Sequence, residues 1–126
     1  MILIFITVES TVFSYESPLI FGTELERSVK EYQKVYDMGK AIAKCEGYGK
    51  AGAIPTRLNN PGNLKAGYPS DSQGHTKFKT SISGWNALHF LLMTRYANKT
   101  PLEMNRMGYA SDQLWYKCVE FYLLKL

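Results

Sequence analysis

Apolar and small residues recur at Leu25, Val29, Tyr32, Tyr36, Gly39 and Ile42, separated by 4, 3, 4, 3 and 3 positions. Steps of three and four place them on one face of an α-helix, and the pattern predicts a helix over residues 24–46. Thr23 and Glu26 form a Thr-x-x-Glu capping box for its start, because their side chains satisfy backbone N–H groups that lack a helical acceptor. Gly47 and Gly49 stop it. The next member of the apolar series, four residues beyond Ile42, is Glu46. A carboxylate thus stands where a core residue is expected, at the end of a helix.

The remaining pattern predicts shorter elements. Residues 1–8 are an apolar run read as an extended β arm, and residues 14–22 as an irregular connection. Residues 47–75 are rich in Gly, Asn, Pro and Ser, and a loop of that length in a small domain is usually functional when ordered. Residues 75–80 alternate weakly and predict a short strand paired with another loop segment. Ser83 is the expected N-cap of a helix over 84–97, with Trp85, Leu88, Leu92 and Tyr96 at helical spacing. Thr100-Pro101-Leu102-Glu103 opens a short helix ending near Gly108: a threonine cap, proline at the first position and glutamate at the third. Ser111 or Asp112 opens a last helix striped by Leu114 or Trp115, Cys118, Tyr122 and Leu123. The expected fold is mainly α (α+β) with minor β content: an N-terminal extended arm over 1–22 and a helical domain with a long ordered loop over 23–126.

Composition narrows the function classes. A chain of 126 residues, 45% hydrophobic and 21% charged, is sized for one folded domain. Its net charge of +4 suits an acidic polymer such as a cell wall, or simply a solvated basic surface. No Lys/Arg stripe interleaved with aromatics points to nucleic acid. Cys45 and Cys118 have no metal-ligand spacing and fall on apolar helical faces, where buried free thiols are the default. They pair only if the last helix packs on the first. His75 and His89 are too far apart for a local metal motif, and His89 reads as structural; no metal site or cofactor is expected. The run over 1–8 is too short to span a bilayer and lacks a preceding basic region, so neither a membrane-spanning segment nor a signal peptide is expected. It reads instead as an arm for a neighbouring subunit.

Burial and the negative end of the helix dipole both disfavour ionisation of Glu46, and a carboxyl group that keeps its proton is what general acid catalysis requires. The plainer alternative is a buried structural acid that caps loop donors or pairs with Arg57 or Lys65.

Ala41-Ile42-Ala43-Lys44-Cys45-Glu46-Gly47-Tyr48-Gly49, Gly52-Ala53-Ile54-Pro55-Thr56-Arg57 and Asn59-Asn60-Pro61-Gly62-Asn63-Leu64 together resemble the lysozyme-like superfamily of small phage and bacterial lytic transglycosylases and goose-type lysozymes. Phe78-Lys79-Thr80, Ser83-Gly84-Trp85-Asn86-Ala87-Leu88 and Asn105-Arg106-Met107-Gly108-Tyr109-Ala110 are similar to it too, so the resemblance spans roughly residues 38–122. It implies a lysozyme-like fold, Glu46 as general acid, and cleavage of the β-1,4 bond between N-acetylmuramic acid and N-acetylglucosamine in peptidoglycan, either by lytic transglycosylase or by muramidase chemistry. Asp71 is the candidate second carboxylate, with an ordinary turn as its other reading. With one convincing acid, transglycosylation is preferred.

For substrate binding, Asn60 or Asn63 either presents an amide to the acetamido groups and orients Glu46, or serves the backbone in left-handed turns. Thr56 and Arg57 either line the cleft or, for Arg57, hold loop carbonyls. Tyr48 and Tyr109 either stack on sugars or pack the core, and Trp85 reads as core. The enzyme reading places the chain in a phage virion, in or with the tail, acting in the bacterial periplasm or cell wall, with glycan strands and other virion proteins as partners. A structural tail or connector protein with this fold and little catalysis is the alternative, and a wall-binding module without catalysis a third.

Overall fold

The computed structural model describes residues 18–67 and 69–126, with the helical backbone alone for 18–22. The β arm expected over 1–8, and residues 14–17 of the irregular connection, lie outside the described residues. Five helices follow in order: α1 (Pro18–Glu46), α2 (Ile54–Arg57), α3 (Ser81–Met93), α4 (Pro101–Arg106) and α5 (Trp115–Leu123). The protein is mainly helical. Among the described residues the β content is an antiparallel bridge between Ser70 and Thr76, in the segment where a short strand pairing was expected. No helix among the described residues is long and apolar enough to cross a membrane.

α1 departs from expectation at its start. The helix already includes residues 18–23, so Thr23 lies inside it rather than capping it, and residues 18–22 are helical rather than irregular. An internal glycine such as Gly22 costs a helix only about 1 kcal/mol, and the helix formers after it outweigh the turn signal. The apolar stripe also divides. Leu25, Val29, Tyr32 and Tyr36 are all exposed, at 43–58%, and only its last members, Gly39 and Ile42, are buried; Val35 and Met38, outside the stripe, pack on the core. Periodicity reports a face, not what covers it.

Lys34–Leu126 forms one compact unit. Its centre is Ile42 of α1, Leu88 of α3, Met104 of α4 and Val119 of α5, all with fully buried side chains. α4 carries its capping box as expected: Thr100 Oγ1 accepts from Glu103 N–H at 3.1 Å and Glu103 Oε1 from Thr100 N–H at 2.9 Å. α3 is shifted by its true cap. Thr80 Oγ1 accepts from Ser83 N–H at 3.1 Å, so the helix starts at Ser81, and it ends at Met93 rather than 97. α5 begins later than expected, because Asp112 Oδ1 accepts from Leu114 N–H at 2.9 Å and holds a turn before Trp115.

One expectation is corrected outright. Cys45 and Cys118 are not free thiols but a disulfide, with Cα atoms 5.9 Å apart. The bond closes a sequence separation of 73 residues and so removes chain entropy from the unfolded state. It joins the last turn of α1 to α5.

Candidate active site

α1 ends as its glycine signal dictates. Tyr48 N–H reaches back to Ala43 O at 2.9 Å and Gly47 N–H to Lys44 O at 3.2 Å, the paired bonds of a Schellman motif. Gly47 has φ +91°, a backbone conformation that side chains with a Cβ resist. Glu46 is therefore the final helical residue, part-buried, with its carboxyl group at the rim of the core.

Two neutral donors hold that carboxyl. Trp115 Nε1–H donates to Oε2 at 2.8 Å, and Asn63 Nδ2 donates to Oε1 at 3.2 Å. Burial raises the Glu46 pKa above the usual carboxylate value; the Trp115 bond, the Asn63 bond and the charge of His75 oppose it in that order, and burial prevails. Among the described residues no lysine or arginine pairs with Glu46. The ion-pair alternative, with Arg57 or Lys65, thus has no contact behind it. Glu46 can hold a proton and, having given it up, has two N–H groups to stabilise the anion.

The Asn-rich loop puts Asn63 in place. Asn59 and Asn63 take φ of 54° and 52°, the left-handed region that asparagine tolerates. Asn60 is fully buried. Its Nδ2 donates to Leu64 O and Thr76 O at 2.9 Å each, and its Oδ1 accepts from Leu64 N–H at 2.8 Å. Both of its N–H groups and its carbonyl oxygen are engaged and the side chain is fully buried, so Asn60 is a brace and not a sugar contact. Asn63 is the member of the pair that orients Glu46, and its Oδ1 is buried with no hydrogen-bond partner.

Thr56 Oγ1 accepts from Gly49 N–H at 2.8 Å, and Arg57 Nε donates to Gly52 O at 3.0 Å. Both fasten the glycine-rich turn after Glu46; for Arg57 this is the loop-carbonyl alternative. Tyr48 packs edge-on against Trp85, with ring centroids 5.6 Å apart. Tyr109 lies beneath Trp115, stacked at 4.6 Å, and its hydroxyl donates to Gly62 O at 2.9 Å. Burial raises the Tyr109 pKa far above the phenol range, with the negative charge of Glu46 adding to it. Its face is occupied by indole, so its role is to seat Trp115 rather than to stack on sugar.

Asp71 follows its turn reading. Oδ1 accepts from Gln73 N–H at 2.9 Å and His75 N–H at 2.8 Å, and Oδ2 meets His75 Nδ1 at 3.0 Å. Burial pushes its pKa up, but the hydrogen bonds from His75 and Gln73 prevail and lower it. Among the described residues no group of three His, Cys, Asp or Glu side chains is arranged to hold a metal ion.

Searches against known protein families, curated proteins and solved structures gave no match.

Two side chains that act on the Glu46 carboxyl escape the sequence reading. Trp115 reads there as one apolar member of a helical stripe, with nothing to aim its indole N–H. His75 reads as an isolated histidine in a loop. A signal for Trp115 does exist: Cys45 precedes Glu46, and Cys118 follows Trp115 by one helical turn. Pairing the cysteines places the tryptophan beside the acid.

Asn63→Gly keeps the left-handed backbone and deletes the amide. Because that amide favours the anion, Glu46 is expected to titrate at higher pH in the variant, read from its side-chain carboxyl resonance by NMR. An unchanged titration would mean the 3.2 Å contact carries no energy.

Proposed function

We propose that this protein cleaves the β-1,4 bond between N-acetylmuramic acid and N-acetylglucosamine in peptidoglycan, on a lysozyme-like fold, with Glu46 as the general acid. The observation that carries the reading is the state of Glu46: part-buried, with its pKa raised, and held by two neutral N–H donors without a cation. Its proton passes to the glycosidic oxygen as the bond to the anomeric carbon breaks through an oxocarbenium-like state. The carboxylate left behind is stabilised by Trp115 and Asn63 and then accepts the proton of the muramyl 6-hydroxyl. That oxygen closes on the anomeric carbon to give a 1,6-anhydro sugar. Asp71, the candidate second carboxylate for activating water, is instead engaged by His75 and the backbone of its own turn. The lyase route is therefore favoured over hydrolysis.

The setting we propose is a phage particle that opens the wall locally during infection, with the protein acting in the bacterial periplasm or cell wall. A disulfide suits an oxidising compartment, and a net charge of +4 suits an anionic wall. Leu25 and Val29, exposed on α1, offer an apolar surface for a neighbouring virion protein. That same surface favours a second reading, a structural tail or connector module with little catalysis. Incubation with purified peptidoglycan, followed by mass analysis of the soluble products, separates the two. Muropeptides ending in 1,6-anhydromuramic acid are expected. Reducing ends would identify a muramidase, and no release from several wall types would leave the structural module.

A further inference from the structure

Glu46 and Trp115 are 69 residues apart in sequence, on different helices, yet the indole N–H must lie within hydrogen-bond reach of one carboxylate oxygen. Each is flanked by half of the disulfide. Cys45 is the residue before Glu46 at the end of α1; Cys118 is three residues after Trp115 and so lies on the same face of α5, one turn along. The covalent bond and the N–H···O contact therefore run side by side between the same two helices. The neighbour against which α5 chiefly packs is α4. Tyr109, in the connection between those two, stacks on Trp115 and is tied by its hydroxyl to Gly62 O of the Asn-rich loop.

We propose that the Cys45–Cys118 disulfide is a positioning element for the acid: it locks the Trp115 indole onto the Glu46 carboxyl, so that the site is assembled under oxidising conditions and comes apart when a dithiol opens the bond. The proposal rests on the reading of Glu46 as the general acid. In the opening step the dithiol supplies two electrons and two protons, becoming a disulfide itself, while Cys45 and Cys118 become two thiols. The junction between α1 and α5 then loses its covalent tie. Hydrogen bonds weaken steeply with distance and angle, and a displacement near 1 Å at a catalytic group costs on the order of 10²-fold in rate. The consequence is a protein silent in a reducing cytoplasm, where it is made, and competent once it reaches an oxidising wall compartment.

The test reads Glu46 itself, by NMR titration of its side-chain carboxyl in the full chain, oxidised and after reduction with dithiothreitol. The groups that face it are Trp115 from α5, Asn63 and His75 from the loops, and Tyr109 from the α4–α5 connection. Opening the junction admits water, and because burial is the largest influence on Glu46 its pKa is expected to fall on reduction, with the Trp115 indole N–H resonance moving while the remaining amide spectrum stays dispersed. Trp115→Phe in the oxidised protein keeps the ring but removes the N–H, so there the pKa is expected to rise. The paired variant Cys45→Ala, Cys118→Ala should reproduce the reduced state with no reductant present. Identical Glu46 titrations in both redox states, a paired variant that titrates like oxidised protein, or global unfolding on reduction would each overturn the proposal, the last by making the bond a general stabiliser. A wall-cleavage assay with and without dithiothreitol is expected to show a loss on the order of 10²-fold on reduction. Absence of cleavage by oxidised protein would count against the enzymatic reading, while the titration still decides the positioning role.

Discussion

Glu46→Gln is expected to cost wall cleavage roughly 10²–10⁴-fold, the usual contribution of a general acid, with no loss of stability at neutral pH. The shape is conserved. One amide oxygen remains to accept from Trp115, and the new NH₂ faces Asn63, whose Oδ1 is buried without a partner and can turn to accept it. Burial raises the folded-state pKa of Glu46 above its unfolded value, so between those two values the folded protein binds the proton that the unfolded chain releases. The stabilisation linked to that proton is complete below the unfolded pKa and is lost as pH rises through the folded one. Glutamine has no such dependence, and its melting temperature should equal or exceed that of the wild type at pH 7. A variant that melted early would attribute its inactivity to unfolding. Retention of full activity would remove Glu46 from the chemistry.

Gly84→Ala is expected to be the most damaging single methyl group in the fold. α3 crosses the Asn-rich loop at Gly84, and a Cβ there would overlap the Asn59 carbonyl oxygen while standing 2.9 Å from Pro61 Cδ. Two effects of opposite sign compete. Alanine is worth about 1 kcal/mol over glycine as a helix former. Overpacking commonly costs about 1–3 kcal/mol and occasionally more, and here the obstruction is a carbonyl and a proline ring, neither of which can rotate aside. The clash wins. A net loss of about 2 kcal/mol or more, seen as a fall of roughly 10 °C in the thermal midpoint, is expected. Because the same loop carries Asn63, activity should fall with stability. An unchanged or higher midpoint would show that α3 does not approach the loop this closely.

Local signals explain much of what the sequence disclosed. The capping box at Thr100, the glycine stop after Glu46 and the left-handed asparagines are decided within a few residues, and each is in the structure. Glu46 was visible because it interrupts an apolar series. What escaped depends on contacts between distant segments. Leu25, Val29, Tyr32 and Tyr36 belong to the same periodic stripe as Gly39 and Ile42, but sequence cannot say which turns of a helix the core reaches. The Asn60 and Asn63 amides are three residues apart and chemically identical. One is consumed by Leu64 and Thr76, and the other is aimed at the acid, because the backbone of the loop turns them differently. Trp115 became a partner of Glu46 only through a helix pairing that the disulfide records.

Delivery of the Glu46 proton to a peptidoglycan glycosidic bond is read from the rate of soluble muropeptide release from purified walls by oxidised wild-type protein, swept from acid to alkaline pH. Release is expected, falling on the alkaline side at a pH above that of an ordinary glutamate, as the buried carboxyl loses its proton. Protein that keeps its native melting transition across the sweep, yet releases nothing from any of several wall chemistries, would contradict the account.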